Sequence, residues 1–163
     1  MIKDRASRRL PVITTYVVGL MATLAPLPAS IEHFRPDWLA MLVIFWTMQL
    51  PRTWSVGSAW IIGIVLDVSH GTLLGQHALG LAFVAFITVR FHLLMRVFPL
   101  PQLTATVFPI LAIYQFLLFW INGVAGVDAP ATAYWGPVIT GTLFWPLVMS
   151  LLSAVRYRAR TGN

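Results

Sequence analysis

The sequence predicts an all-α membrane protein: a single bundle of six transmembrane helices with both termini on the cytoplasmic side. Two observations carry that prediction. Hydrophobic residues make up 58% of the 163 residues and charged residues only 10%, with a mean hydropathy of +0.80. A soluble domain carries about 25% charged residues, so this chain could not cover its apolar surface against water. The apolar residues also fall into six runs separated by short polar segments, which leaves one integral membrane domain over residues 1–163 and no room for a soluble one.

The runs are Leu10–Leu27, Asp37–Leu50, Trp54–Val68, His77–Met95, Leu103–Ile121 and Trp135–Val155. About 20 helical residues are needed to cross roughly 30 Å of hydrocarbon. Four runs come close to that length. The second and third are short and are joined only by Pro51-Arg52-Thr53, so a re-entrant hairpin is the alternative to two crossings. Such a hairpin would leave Arg52 near mid-membrane at a cost of about 2.5–3.5 kcal/mol. Two tilted or membrane-thinning crossings put Arg52 at the surface and are preferred.

Charge sets the orientation. With the N-terminus inside, Lys3, Arg5, Arg8, Arg9, Arg52, Arg90, Arg96, Arg156, Arg158 and Arg160 are cytoplasmic, and Arg35 alone is outside. That bias obeys the positive-inside rule, and shifting the frame by one helix destroys it. Glu32, Asp37 and Asp128 fall outside. The net charge of +6 therefore belongs to loops, and nucleic acid is not an expected partner. Trp38, Trp54, Trp120, Tyr134 and Trp135 lie near helix ends, where amphipathic rings favour the headgroup layer. Trp46, Trp60 and Trp145 lie deeper and read as packing residues. The basic leader and Leu27-Pro28-Ala29 imitate a secretory signal peptide, but a start at Met1 favours an uncleaved anchor.

The third helix carries the clearest internal pattern. Ser55, Ala59, Gly63 and Asp67 recur every four residues and form a stripe of small residues suited to close helix packing. The stripe drifts by about 40° per step, so Gly71 and Gly75 are expected in the turn that follows. Asp67 is the single acidic residue within an apolar run, and an intramembrane carboxylate is a functional candidate by default. It is either a buried polar contact or an interfacial residue capped by the next turn. Arg35 is its expected partner, with His70 or His77 sharing the contact. Asp67, His70 and His77 match no metal-site spacing, so neither a metal nor another cofactor is expected.

Gln49, Thr88, Tyr114, Gln115 and Asn122 read as interhelical hydrogen-bonding positions. Pro99 and Pro101 mark the start of the fifth helix, while Pro109 and Pro146 interrupt the fifth and sixth. No zinc-protease, P-loop or nucleophile-elbow signature is present, so an enzyme is not expected.

Several strings taken together resemble a known family. They are Arg35-Pro36-Asp37-Trp38, the segment from Asp67 through Gly71, Gly75 and His77 to Leu79, Tyr114-Gln115, Phe119-Trp120, Tyr134-Trp135-Gly136-Pro137, Trp145-Pro146 and the basic tail. The order resembles the bacterial rod shape-determining protein MreD family over essentially the whole chain. The resemblance implies a noncatalytic inner-membrane scaffold or regulator of cell elongation and lateral peptidoglycan synthesis. It also implies an MreC-like bitopic partner, and through it MreB-like filaments and a RodA–transpeptidase synthase. It further implies a fold similar to the six-helix substrate-binding subunits of vitamin transporters. The alternative is a small-molecule binding or transport subunit with an outward pocket near Arg35, Asp67 and His77. Its polar cluster lies near the surface, whereas transporters place theirs at the midplane.

Overall fold

A computed structural model describes residues 2–127 and 130–161, with side chains left out at 2–9, 29–30, 131 and 160–161. Asp128 and the side chains of Lys3, Asp4, Arg5, Arg8, Arg9 and Arg160 lie outside that description. The described residues form six main helices and one single-turn segment, with no strand among them: α1 (Ile2–Leu24), α2 (Ala29–Glu32), α3 (Trp38–Gln49), α4 (Val56–His70), α5 (Gln76–Val97), α6 (Leu100–Val124) and α7 (Ala131–Thr161). α5, α6 and the Thr132–Ala159 portion of α7 are long and apolar enough to cross a membrane. The apolar part of α1 (Leu10–Leu24), α3 and α4 are shorter.

The boundaries follow local chemistry. α1 stops where Ala25-Pro26-Leu27-Pro28 removes two backbone donors. α4 ends on Gly71 in the left-handed conformation (φ 65°), and α5 begins after Gly75 (φ 101°), backbone values that a side chain disfavours. Pro99 precedes α6 and Pro101 sits in its first turn, where a missing N–H costs nothing.

α3 is the axis of the bundle. Every residue from Leu39 to Met48 is buried, and α5, α1 and α7 pack around it. A helix that is apolar on all sides must be enclosed by protein or lipid. Here the enclosure is protein, which explains its length. Twelve residues reach roughly 18 Å, well short of a bilayer, and the irregular segments at its two ends are half-buried to exposed.

Interior packing uses ring contacts and small residues. Trp46 is buried with Nε1 donating to Thr15 Oγ1 at 2.9 Å, and its ring stands edge-on to Phe45 at 5.0 Å. Tyr16 stacks at a tilt on Trp54 and Trp38 meets Phe144, tying α1 and α7 to the core. Trp145 is fully buried as expected, but Trp60 is 52% exposed on the outer face of α4. In a membrane an exposed indole meets lipid without penalty, so depth along a helix does not reveal which way a tryptophan points.

Hydrogen bonds between helix ends fix the topology. Arg35 reaches the C-terminal carbonyls of α1, Asp67 joins the end of α4 to the start of α5, and Gln76, Asn122 and Tyr134 link the start of α5, the end of α6 and the start of α7. Gln115 of α6 donates to Asp37 at the start of α3. At the opposite end Arg96 of α5 and Arg156 of α7 both meet the end of α3. Successive helices thus run antiparallel, and the exposed Arg52 turn emerges beside Arg96 and Arg156. The end of α3 thus lies level with the ends of α5 and α7 that carry Arg96 and Arg156.

Candidate functional site

The Asp67 region is built from a helix end, a glycine-flanked turn and the next helix start. The first N–H groups of an α-helix have no partner within the helix, and in a low-dielectric setting they must find one. Gly75 precedes α5 and has no side chain to offer. Asp67 supplies the missing acceptor from the previous helix. Its Oδ2 accepts from the Gly75 N–H at 2.9 Å and the Ala78 N–H at 3.3 Å, and its Oδ1 from the His77 N–H at 2.9 Å. Thr72 Oγ1 donates at 3.0 Å, and His77 Nδ1 lies 2.7 Å from Oδ1. The Asp67 side chain is fully enclosed and that of His77 nearly so. A carboxylate at a helix N-terminus also matches the positive end of the helix dipole.

The carboxylate is both a buried polar contact and a residue capped by the following turn, the two roles between which the sequence left a choice. Its expected partner is different. Arg35 donates both terminal nitrogens to the Thr23 and Ala25 carbonyls, ending α1, and forms no described ion pair with Asp67. The α1 carbonyls left unpaired at its C-terminus are the nearer and complementary target. His77 holds the place expected of Arg35. His70 stands edge-on to His77 at 5.7 Å, and no group of three His, Asp or Glu residues suited to a metal forms among the described residues. Asp67 and the two terminal nitrogens of Arg35 thus serve helix ends, whereas Arg35 Nε is buried without a hydrogen-bond partner among the described residues.

The small-residue stripe is also committed internally. A methyl group placed on Gly63 would sit 2.2 Å from Ala78 Cα, so α4 and α5 touch backbone to backbone at that point. Ala59 and Gly63 are buried in this contact region, Ser55 precedes α4 in extended conformation, and Gly71 and Gly75 form the turn, as their drift around the helix predicted. The helix that the stripe admits is therefore α5 of the same chain. Asp37, Gln115, Gln76, Asn122 and Tyr134 complete a belt of polar bonds at this end, with Gln76 Nε2 donating to Asn122 Oδ1 at 2.9 Å. Trp120 and Trp135 project outward beside it.

A second small-residue face stays open, and the sequence reading passed over it. Thr14, Thr15, Val18, Gly19 and Ala22 of α1 face Val148, Leu151 and Val155 of α7 across a groove of about 430 Å³, with Trp38 and Leu42 of α3 as its floor. The walls are almost wholly apolar. Thr15, Gly19 and Thr23 at i, i+4 and i+8, with Thr14 and Ala22 beside them, were the available signal, but Thr14 and Thr15 bond back to their own helix and so read as ordinary helix residues.

Comparison with known proteins agrees along nearly the full chain. The family model described as rod shape-determining protein MreD matches residues 4–155. The rod shape-determining protein MreD of Haemophilus influenzae (strain ATCC 51907 / DSM 11121 / KW20 / Rd) is 24% identical over 152 residues, covering 91% of this chain and 92% of that protein. No solved structure matches the chain.

Proposed function

The chain belongs to the MreD family of rod shape-determining membrane proteins, and from that premise we propose that it is a noncatalytic inner-membrane scaffold for cell elongation. In this reading it binds the single transmembrane helix of an MreC-like bitopic protein. Through that partner it positions MreB-like filaments and the RodA–transpeptidase synthase during lateral peptidoglycan synthesis. All six main helices cross the membrane, and the end that carries Arg52, Arg96, Arg156 and Arg158 faces the cytoplasm in accord with the charge bias.

The groove between α1 and α7 is the observation that carries the proposal. Lipid gives two helices no hydrophobic reason to associate, so association depends on close packing along small residues. The α4 stripe is closed by α5, whereas Thr14 and Ala22, with Val18 between them, line an open groove whose floor is the half-buried Trp38 and the buried Leu42. A partner helix seated there would also lie against α3 and so sense the centre of the bundle.

The chain has no cysteine, which permits a direct test. Val18→Cys and Leu151→Cys, each combined with a cysteine scan of the partner's transmembrane helix, are expected to cross-link in native membranes with a helical period. Phe86→Cys, on the exposed face of α5, is expected to give none. Cross-linking at Phe86 with none at Val18 and Leu151 would refute this docking mode.

A further inference from the structure

Three sources of positive potential meet at the end of the bundle opposite Asp67. Arg96 projects from the last turn of α5, with Nε donating to the Met48 carbonyl at 2.8 Å and a terminal nitrogen to the Gln49 carbonyl at 2.6 Å. Arg156 of α7 donates to the Gln49 side-chain oxygen. The third source is the start of α6, which has Pro99 before it and no side-chain cap; Phe98 and Leu103 on either side of that start both line the same cavity as the two arginines. The cavity holds about 320 Å³.

Its chemistry is divided. Arg96, Arg156 and Gln49 supply polar walls, and Phe98, Leu103 and Met149 supply apolar ones. Carbonyls engage two of the five N–H donors of Arg96 but do not neutralise its charge. The start of α6 nearby adds the positive end of a helix dipole. Guanidinium donors in a fork match the oxygens of a phosphate. Val97 and Leu100, next in sequence, are strongly exposed and continue the apolar surface outward. A free inorganic anion would use the polar wall alone. A phosphate attached to a glycerol and acyl chains would use both walls, as basic pockets between membrane helices generally do.

We propose that this cavity binds the phosphate of an anionic phospholipid headgroup, held by Arg96 and Arg156 near the positive end of α6, with the first acyl carbons against Phe98, Leu103 and Met149. Because Arg96 and Gln49 also terminate α3, occupancy tightens the end of the central helix.

The test is thermal unfolding of the full chain, purified in neutral detergent, titrated with short-chain phosphatidylglycerol, the matching phosphatidylcholine, or inorganic phosphate. Phosphatidylglycerol is expected to raise the midpoint in a saturable way, by about 4 °C, and the other two not to. Arg156→Gln is expected to weaken half-saturation about tenfold, as loss of a charge-assisted contact requires, and Arg156→Lys to weaken it less. Leu103→Trp fills the cavity without changing charge and is expected to abolish the lipid-induced shift, which is read against that variant's own lipid-free midpoint because Leu103 is a core residue. Equal stabilisation by phosphatidylcholine would overturn the headgroup assignment, and equal stabilisation by inorganic phosphate would make this a soluble-anion site. Unchanged phosphatidylglycerol binding by both Arg156→Gln and Leu103→Trp would remove it from this cavity.

Discussion

The backbone of Ala78 occupies the space that a side chain on Gly63 would need: a methyl group there would lie 2.2 Å from Ala78 Cα. The neighbour is main chain, which cannot rotate aside, so α4 and α5 would have to separate.

Gly63→Ala is accordingly expected to destabilise the bundle by about 1–3 kcal/mol, the usual cost of overpacking, and Gly63→Leu to prevent assembly. The check is unfolding in mixed micelles together with the amount of protein that accumulates in membranes. A Gly63→Leu protein as stable as the wild type would show that the α4–α5 contact is not needed.

Asp67→Ala is expected to cost about 3–5 kcal/mol, because it removes the acceptor shared by the Gly75, His77 and Ala78 N–H groups. His77→Ala removes one side-chain bond and leaves the three backbone donors paired to the carboxylate, so about 1.5 kcal/mol is expected. Asp67→Asn falls between them. The ranking, read from the same unfolding assay, separates a helix-capping carboxylate from one that serves only as the partner of His77.

Arg35 and Asp67 bind different helix ends, so their effects are expected to add. In a double-mutant cycle with Arg35→Ala and Asp67→Asn the coupling should stay within about 0.5 kcal/mol. A coupling several times larger would restore the ion pair expected from the sequence.

The helices were legible and their partners were not. Apolar runs separated by prolines, glycines and charges located all six main helices to within a few residues at most ends, because lipid imposes that pattern on any chain that crosses it. The turn at Gly71 and Gly75 was also legible, from the drift of the four-residue repeat. The identity of the helix facing Gly63 was not, since small residues announce a close approach without naming what approaches. Asp67 illustrates the same limit. Its donors are backbone groups eight to eleven residues ahead, and backbone groups leave no mark in a sequence. Charge complementarity pointed to Arg35, whereas the geometry answers to unpaired carbonyls at the end of α1. Trp60 misled for a related reason, as a tryptophan suits both a protein core and a lipid face.

Trp46→Phe keeps an edge-on ring against Phe45 but loses the bond to Thr15, and is expected to cost about 1 kcal/mol. Thr15→Val should cost a similar amount, and the double variant little more than either. Additive losses would mean that the two residues contribute separately.

The burial of α3 has a consequence for the order in which the protein can be completed. The residues that close its C-terminal end, Arg96 and Arg156, lie 48 and 107 residues further along the chain than their respective partners Met48 and Gln49. When α3 leaves the ribosome, neither exists. The helix must wait at the insertion machinery, or in lipid, with its last carbonyls unanswered until α5 arrives, and it is not walled in until α7 does. The centre of the molecule is therefore among its last parts to become secure, and a chain cut short before α7 hands quality-control proteases an exposed axis instead of a smaller stable bundle.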